Sequence, residues 1–320
     1  PLPIVYSMKK IRVYLIFSAI FGFLPVCFAQ VDTTYIEPYN QKITVKAYLS
    51  KNFIEIQKDD KNYMPNNPMK LGVGLSVRNT VVNLGYSFGL NFTTNPKWGK
   101  TESFDFQLHN YGRNFLFDIS YQSYKGFYYQ SDDNRLGREN TAVELYSDLK
   151  VAQIGAEATY LFNGKRFSAK SAFAQSEKQL KSAGSFALGG GIYRNHIEWE
   201  ESLFAATEKD AINNLQFGVK LGYAYSYVIN KNWMLSGMVT AGVHLGNEQS
   251  RLKKGKIEVS PAVFSRMAIG YNKPDWAASF SFLEHLNSFT FSDAKPITLN
   301  SIDFQISYVK YLDWSPFWKK

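Results

Sequence analysis

Apolar and polar residues alternate with a period of two along most of the chain. Leu71, Val73, Leu75 and Val77 alternate with Gly72, Gly74, Ser76 and Arg78. Val82, Leu84, Tyr86, Phe88 and Leu90 alternate with Asn83, Gly85, Ser87, Gly89 and Asn91. The longest series sets Leu215, Phe217, Val219, Leu221, Tyr223, Tyr225 and Tyr227 against Gln216, Gly218, Lys220, Gly222 and Ser226. Successive side chains of a strand point to opposite faces, whereas a helix repeats every three or four residues. The pattern predicts strands near 42–57, 69–78, 80–91, 101–110, 114–128, 147–162, 166–175, 184–196, 213–228, 233–246, 256–271, 276–286 and 297–311. Most are longer than the ~5–6 residues of a globular strand, and they match or exceed the ~9–11 that cross a bilayer.

The connections alternate in length. Asn79, Tyr111–Arg113, Asn163–Lys165, Ile229–Asn232 and Asn272–Asp275 are tight turns, and 58–68, 92–100, 129–146, 247–255 and 287–296 are longer links. Bacterial barrels keep short turns in the periplasm and long loops outside. Trp233 and Trp276 each open a strand just after a short turn, where a periplasmic-side aromatic girdle would lie. The segments number thirteen, whereas such barrels have an even count. The up–down order breaks between 196 and 213, so either that link hides a crossing or 42–57 is partly periplasmic or luminal. The expectation is an all-β, antiparallel transmembrane barrel of about twelve strands, with fourteen as the alternative.

Composition supports this reading over a soluble one. Aromatics reach 16%, yet mean hydropathy is −0.26 and, past residue 29, no run is apolar for 18 residues. Spanning helices are thereby excluded, while alternating lipid-facing and luminal residues average out in hydropathy. From Met8 the pattern is that of a cleavable signal peptide: Lys9, Lys10 and Arg12, then the apolar stretch Val13–Phe28, then Cys27-Phe28-Ala29 before Gln30. Val26 before Cys27 argues against a lipoprotein. Cleavage there removes the single cysteine and three of 36 basic residues, leaving 33 against 27 acidic, a net +6. The basic residues are scattered and leave no nucleic-acid footprint. The expected organisation is 1–29 removed, 30–41 a periplasmic segment, 42–311 the barrel and 312–320 a tail.

Particular stretches resemble one family. Arg166-Phe167-Ser168, Ala172-Phe173, Gln175, Glu177-Lys178-Gln179 and Ser182-Ala183-Gly184-Ser185-Phe186 carry the likeness. Tyr124-Lys125-Gly126-Phe127-Tyr128, Tyr63-Met64-Pro65-Asn66, Asp32-Thr33-Thr34-Tyr35 and Gly222-Tyr223-Ala224-Tyr225 extend it over roughly 32–311. The chain is similar to an uncharacterised family of Bacteroidota outer-membrane barrels, domain of unknown function 4421. The resemblance implies the barrel and its membrane, and brings no catalytic or binding residues. Many barrels end on an aromatic, whereas this chain continues through Trp314, Phe317 and Trp318 to Lys320.

No enzymatic constellation stands out. None of His109, His196, His244 and His285 lies in a His-x-Ser-Asn-type run, and His109 and His244 fall on luminal phases. Asp132-Asp133 reads as a solvated turn, and Gly189-Gly190-Gly191 precedes a strand, so it cradles no phosphate. Neither a cofactor nor a metal is expected. Asp105, Asp118, Glu157, Lys170, Lys220, Arg266 and Asp303 fall on the luminal phase, with Arg78 at a strand end. They either pair and fill the interior or line a narrow pore. Luminal glycines such as Gly218, Gly242 and Gly270 leave room for a pore or let strands curve. The run Arg251–Lys256 is a solvated loop or a contact for lipopolysaccharide phosphates. The expected partners are outer-membrane lipid and lipopolysaccharide, with room for an envelope protein. The leading expectation is a non-enzymatic narrow channel or transporter for small solutes. Its competitor is a structural or partner-binding barrel, and a hydrolase ranks last.

Overall fold

The structure, a computed structural model, describes residues 31–39, 43–77, 80–130, 143–199, 210–290 and 296–312. The segment read as a signal peptide, Arg78, the centre of the 129–146 link with Asp132-Asp133, and the tail after 312 lie outside the described residues. So do the side chains of Leu84 and Tyr86.

Fifteen strands follow in order: β1 (Ile36–Pro38), β2 (Ile43–Lys58), β3 (Lys61–Pro65), β4 (Met69–Val77), β5 (Thr80–Leu90), β6 (Glu102–Tyr111), β7 (Phe115–Gln130), β8 (Val143–Leu161), β9 (Glu177–Gln179), β10 (Ala183–Glu198), β11 (Ala211–Val228), β12 (Trp233–Glu248), β13 (Glu258–Asn272), β14 (Trp276–Phe289) and β15 (Ile297–Leu312). All except β1 and β9, which pair with each other, form one antiparallel sheet, and β15 pairs back onto β2 to close it. The ring closed through β3 holds ten strands, and β4, β5 and β6 form a second route from β2 to β7. Closure leaves no free edge at β2 or β15, which is how a β protein satisfies its backbone without water.

The alternation survives folding. On β11, Phe217, Val219, Leu221 and Tyr223 face outward and exposed, while Gln216, Lys220 and Ala224 are buried inside. Leu235, Val239, Val243 and Leu245 continue the apolar exterior on β12. At the short-turn end the outer surface carries an aromatic band. Trp233 meets Tyr271 at 5.0 Å, Tyr271 meets Trp276 at 5.6 Å, and Trp276 stacks on Tyr308 at 5.6 Å. Both predicted girdle tryptophans belong to it.

The strand count departs from the expected twelve. Twelve of the thirteen predicted segments are strands, but 166–175 is not. It forms a π-helical turn, Lys170–Ala174, leading into β9. Ser168 Oγ accepts from the Ser171 amide at 3.1 Å, and Gln175 ends the turn with φ 51°. Side chain-to-backbone bonds of this kind compete with strand pairing. The break in up–down order therefore lies at 166–175 rather than between 196 and 213. There β10 and β11 are direct neighbours, with Ala183 opposite Ser226 and Glu198 opposite Ala211. The short β3 escaped the pattern because it occupies part of a link that reads as loop.

Candidate luminal site

The interior is stratified. At the long-loop end, Ile54, Ile56, Tyr124, Phe127, Val151, Ile197, Trp199, Ile212 and Leu299 are among a buried apolar cluster across the lumen. At the short-turn end a second cluster joins Leu116, Leu161, Met238 and Phe264 to Phe167, Ala169 and Ala172 of the 162–182 insert. Between them lies a polar layer that contains most of the predicted charges.

Those charges are largely paired. The Glu157 carboxylate accepts from Lys220 Nζ at 2.6 Å and from the Tyr193 hydroxyl. Lys220 is fully buried, with its ammonium 5.2 Å from the Phe264 ring centroid. Asp118 accepts from Arg266 at 2.9 Å and from His109 Nδ1, while Arg266 also donates to the Tyr111 hydroxyl at 2.8 Å. Asp105 accepts from the Asn52 amide, from Gln122 at 2.8 Å and from the Tyr124 hydroxyl at 3.1 Å. A buried ion needs such partners, because an unpaired one is strongly unfavourable. The polar layer has small gaps, one of about 80 Å³, lined by Tyr48, Asn52, Lys70, Asp105 and Asp303 among others.

Lys170 sits elsewhere. Its segment is not a strand, so it lies in the insert, 3.3 Å from Glu177. Glu177 also takes a two-pronged contact from Arg113, at 2.8 and 3.0 Å, and a 2.7 Å bond from Ser168. Burial works to raise the Glu177 carboxyl, but Arg113, Lys170 and Ser168 outweigh it and hold it below the usual carboxylate range. Burial pulls the Lys170 ammonium down. The insert also captures the N-terminal segment: β1 pairs with β9, Arg166 reaches Asp32 at 3.2 Å, and the Gln179 amide donates to the Arg166 carbonyl at 2.6 Å. Motif residues scattered between Asp32 and Gln179 thus meet at one end of the barrel.

Lys46, Lys70 and His285 were not singled out in the sequence, and all three join the polar layer. The signal for Lys46 was available, since it shares the polar phase of β2 with Thr44, Ser50 and Asn52. His244 is buried with Nδ1 3.0 Å from Asn287 Oδ1. Among the described residues, no histidine has a serine hydroxyl as hydrogen-bond partner, and no three His, Cys, Asp or Glu side chains are grouped to hold a metal. No described helix is long and apolar enough to cross a membrane, which says nothing of strands.

The family model described as Domain of unknown function (DUF4421) matches residues 30–309. Among curated proteins none matches. Solved structures with a similar course include a bacterial polysaccharide outer membrane secretin, at 8% identity over 85% of this chain and 99% of that one, TM-score 0.36. The outer membrane protease OmpT of Escherichia coli gives 7% identity over 85% and 97%, TM-score 0.36. The β domain of the Bordetella autotransporter BrkA gives 11% over 85% and 100%, also at 0.36.

Proposed function

The chain belongs to the family described as Domain of unknown function (DUF4421), and from that premise we propose that it is a closed, non-enzymatic barrel of the outer membrane, serving as a structural or partner-binding element of the envelope. Membrane placement is supported by the outward apolar face and the aromatic band, which suit lipid and its interface. One observation carries the choice of scaffold over channel. Apolar clusters cross the lumen at both ends, and the charges between them are mostly used on each other. A selective pore instead presents its charges to passing ions. The non-enzymatic reading rests on His109, His196 and His244 being engaged by amides and carboxylates, and on His285 lying against the Tyr193 and Phe264 rings.

The test is single-barrel conductance in a planar bilayer. A silent bilayer after verified insertion is expected. Reproducible ion-passing steps from the wild-type barrel would replace this reading with the narrow channel.

A further inference from the structure

The wall contains a seam. β2 pairs with β4 only from Ile43 to Ser50, and with β3 only from Ile56. β5 pairs with β6 only between Thr80–Asn83 and Gln107–Asn110, although β6 runs on to Glu102. Beside these unpaired stretches the chain is tied by side chains. The Asn67 amide donates to the Asn52 carbonyl at 2.6 Å, and the Lys51 ammonium to the Asn67 carbonyl. The Asn66 amide donates to the carbonyls of Asn95 at 2.8 Å and Gly99 at 2.6 Å.

Asn52 of the seam also lines a cavity of about 80 Å³. Gly72 makes room there, since a Cβ would sit 2.4 Å from the Tyr48 ring. Two charged residues lining this cavity differ from the ion pairs of the polar layer. Lys70, more than nine-tenths buried, and Asp303 have no hydrogen bond or ion pair among the described residues. Lys46 nearby is bonded to Gln305 at 2.8 Å, and Asp105 already takes three donors on its Oδ2. A buried ammonium and a half-buried carboxylate thus face one cavity with their hydrogen-bonding capacity unused. A single ligand of both signs would engage both. The space suits on the order of six waters, the size of a small amino acid.

We propose that this seam cavity binds a compact zwitterion, its carboxylate or phosphate on Lys70 and its amine on Asp303. The site is independent of whether the barrel conducts. The same chemistry is offered by a free amino acid and by a zwitterionic lipid headgroup.

The test uses the purified folded barrel in a detergent without zwitterionic groups. Calorimetric titration with ω-amino acids from glycine to 6-aminohexanoate should show one-to-one binding that peaks at one chain length. Butylamine and butyrate should bind far more weakly. In nanodiscs, native mass spectrometry should show phosphatidylethanolamine retained over phosphatidylglycerol if the source is lipid. Lys70→Gln and Asp303→Asn should each weaken binding about tenfold or more, and Lys70→Arg should keep it. The proposal is overturned if neither arm binds a barrel that still shifts on gels when boiled, if single-charge controls bind equally, or if folded variants bind like wild type. Should the variants not fold, the chain-length series with its single-charge controls decides.

Discussion

Two arcs of the same wall are built differently. From β10 to β15 each strand pairs with the next in unbroken register, and Lys220 and Arg266 of this arc reach across the interior to Glu157 on β8 and Asp118 on β7. From β2 to β7 the ladders are short except between β6 and β7, the register shifts between Leu71 and Val73, and side-chain amides complete the wall. At the next pairing, β7 with β8, Gly126 breaks the register with φ +91°, and an added Cβ would stand 2.3 Å from the Lys100 carbonyl oxygen. The comparison teaches that backbone pairing alone makes a regular wall, leaving side chains to fill the lumen. Where backbone pairing lapses, side chains must do both.

The sharpest way to break this comparison lies inside the regular arc. Lys220→Met strands the Glu157 carboxylate and should cost about 3–5 kcal/mol in reversible unfolding from lipid vesicles. A loss under 1 kcal/mol would show that the lumen is wet and the pair dispensable.

On the outer face of the same strand, Leu221→Arg puts a charge toward lipid and should cost about 2–4 kcal/mol. Gln216→Arg, placed in the polar layer, is the comparison variant. If Leu221→Arg is as stable as wild type, β11 does not face hydrocarbon and the membrane assignment fails.

At the seam, Asn67→Ala removes one amide tie and leaves the Asn52 carbonyl only the longer bond from the Tyr124 hydroxyl, for about 1 kcal/mol. Hydrogen exchange should quicken at 51–55 and 102–106 while β10–β13 stay protected. Uniform quickening over the whole barrel would mean the seam is no separate unit.

The smallest effect is set by acid. Glu177 has its carboxyl held below the ordinary value of 4.5 when folded, so its stabilisation is complete above that value and fades as pH falls through the depressed one. Exchange of the β1 and β9 amides should therefore rise on strong acidification ahead of the wall strands. Glu177→Gln should abolish that pH dependence. Loss of β1–β9 protection already between pH 6 and 5 would assign the switch to another group.

How much of this was legible follows the same division. The long strands were readable because one face of each must meet an apolar surroundings and the other a packed lumen, which forces period two. Asp118, Glu157, Lys220 and Arg266 were readable as luminal for the same reason. Their partners were not, because Asp118 meets Arg266 across 148 residues of sequence, and only closure of the ring brings those strands face to face. The segment 166–175 misled because its apolar residues pack onto the barrel's end rather than along its wall.

By itself, then, the sequence determined the alternating strands, the end that carries short turns and tryptophans, and the identity of most luminal charges, since each depends on neighbours one or two residues away. Tertiary structure decided the rest. Whether the ring closes through β3, whether the charges saturate each other, and why Lys70 and Asp303 are left unpaired are set by distances between strands far apart in the chain, which no local pattern encodes.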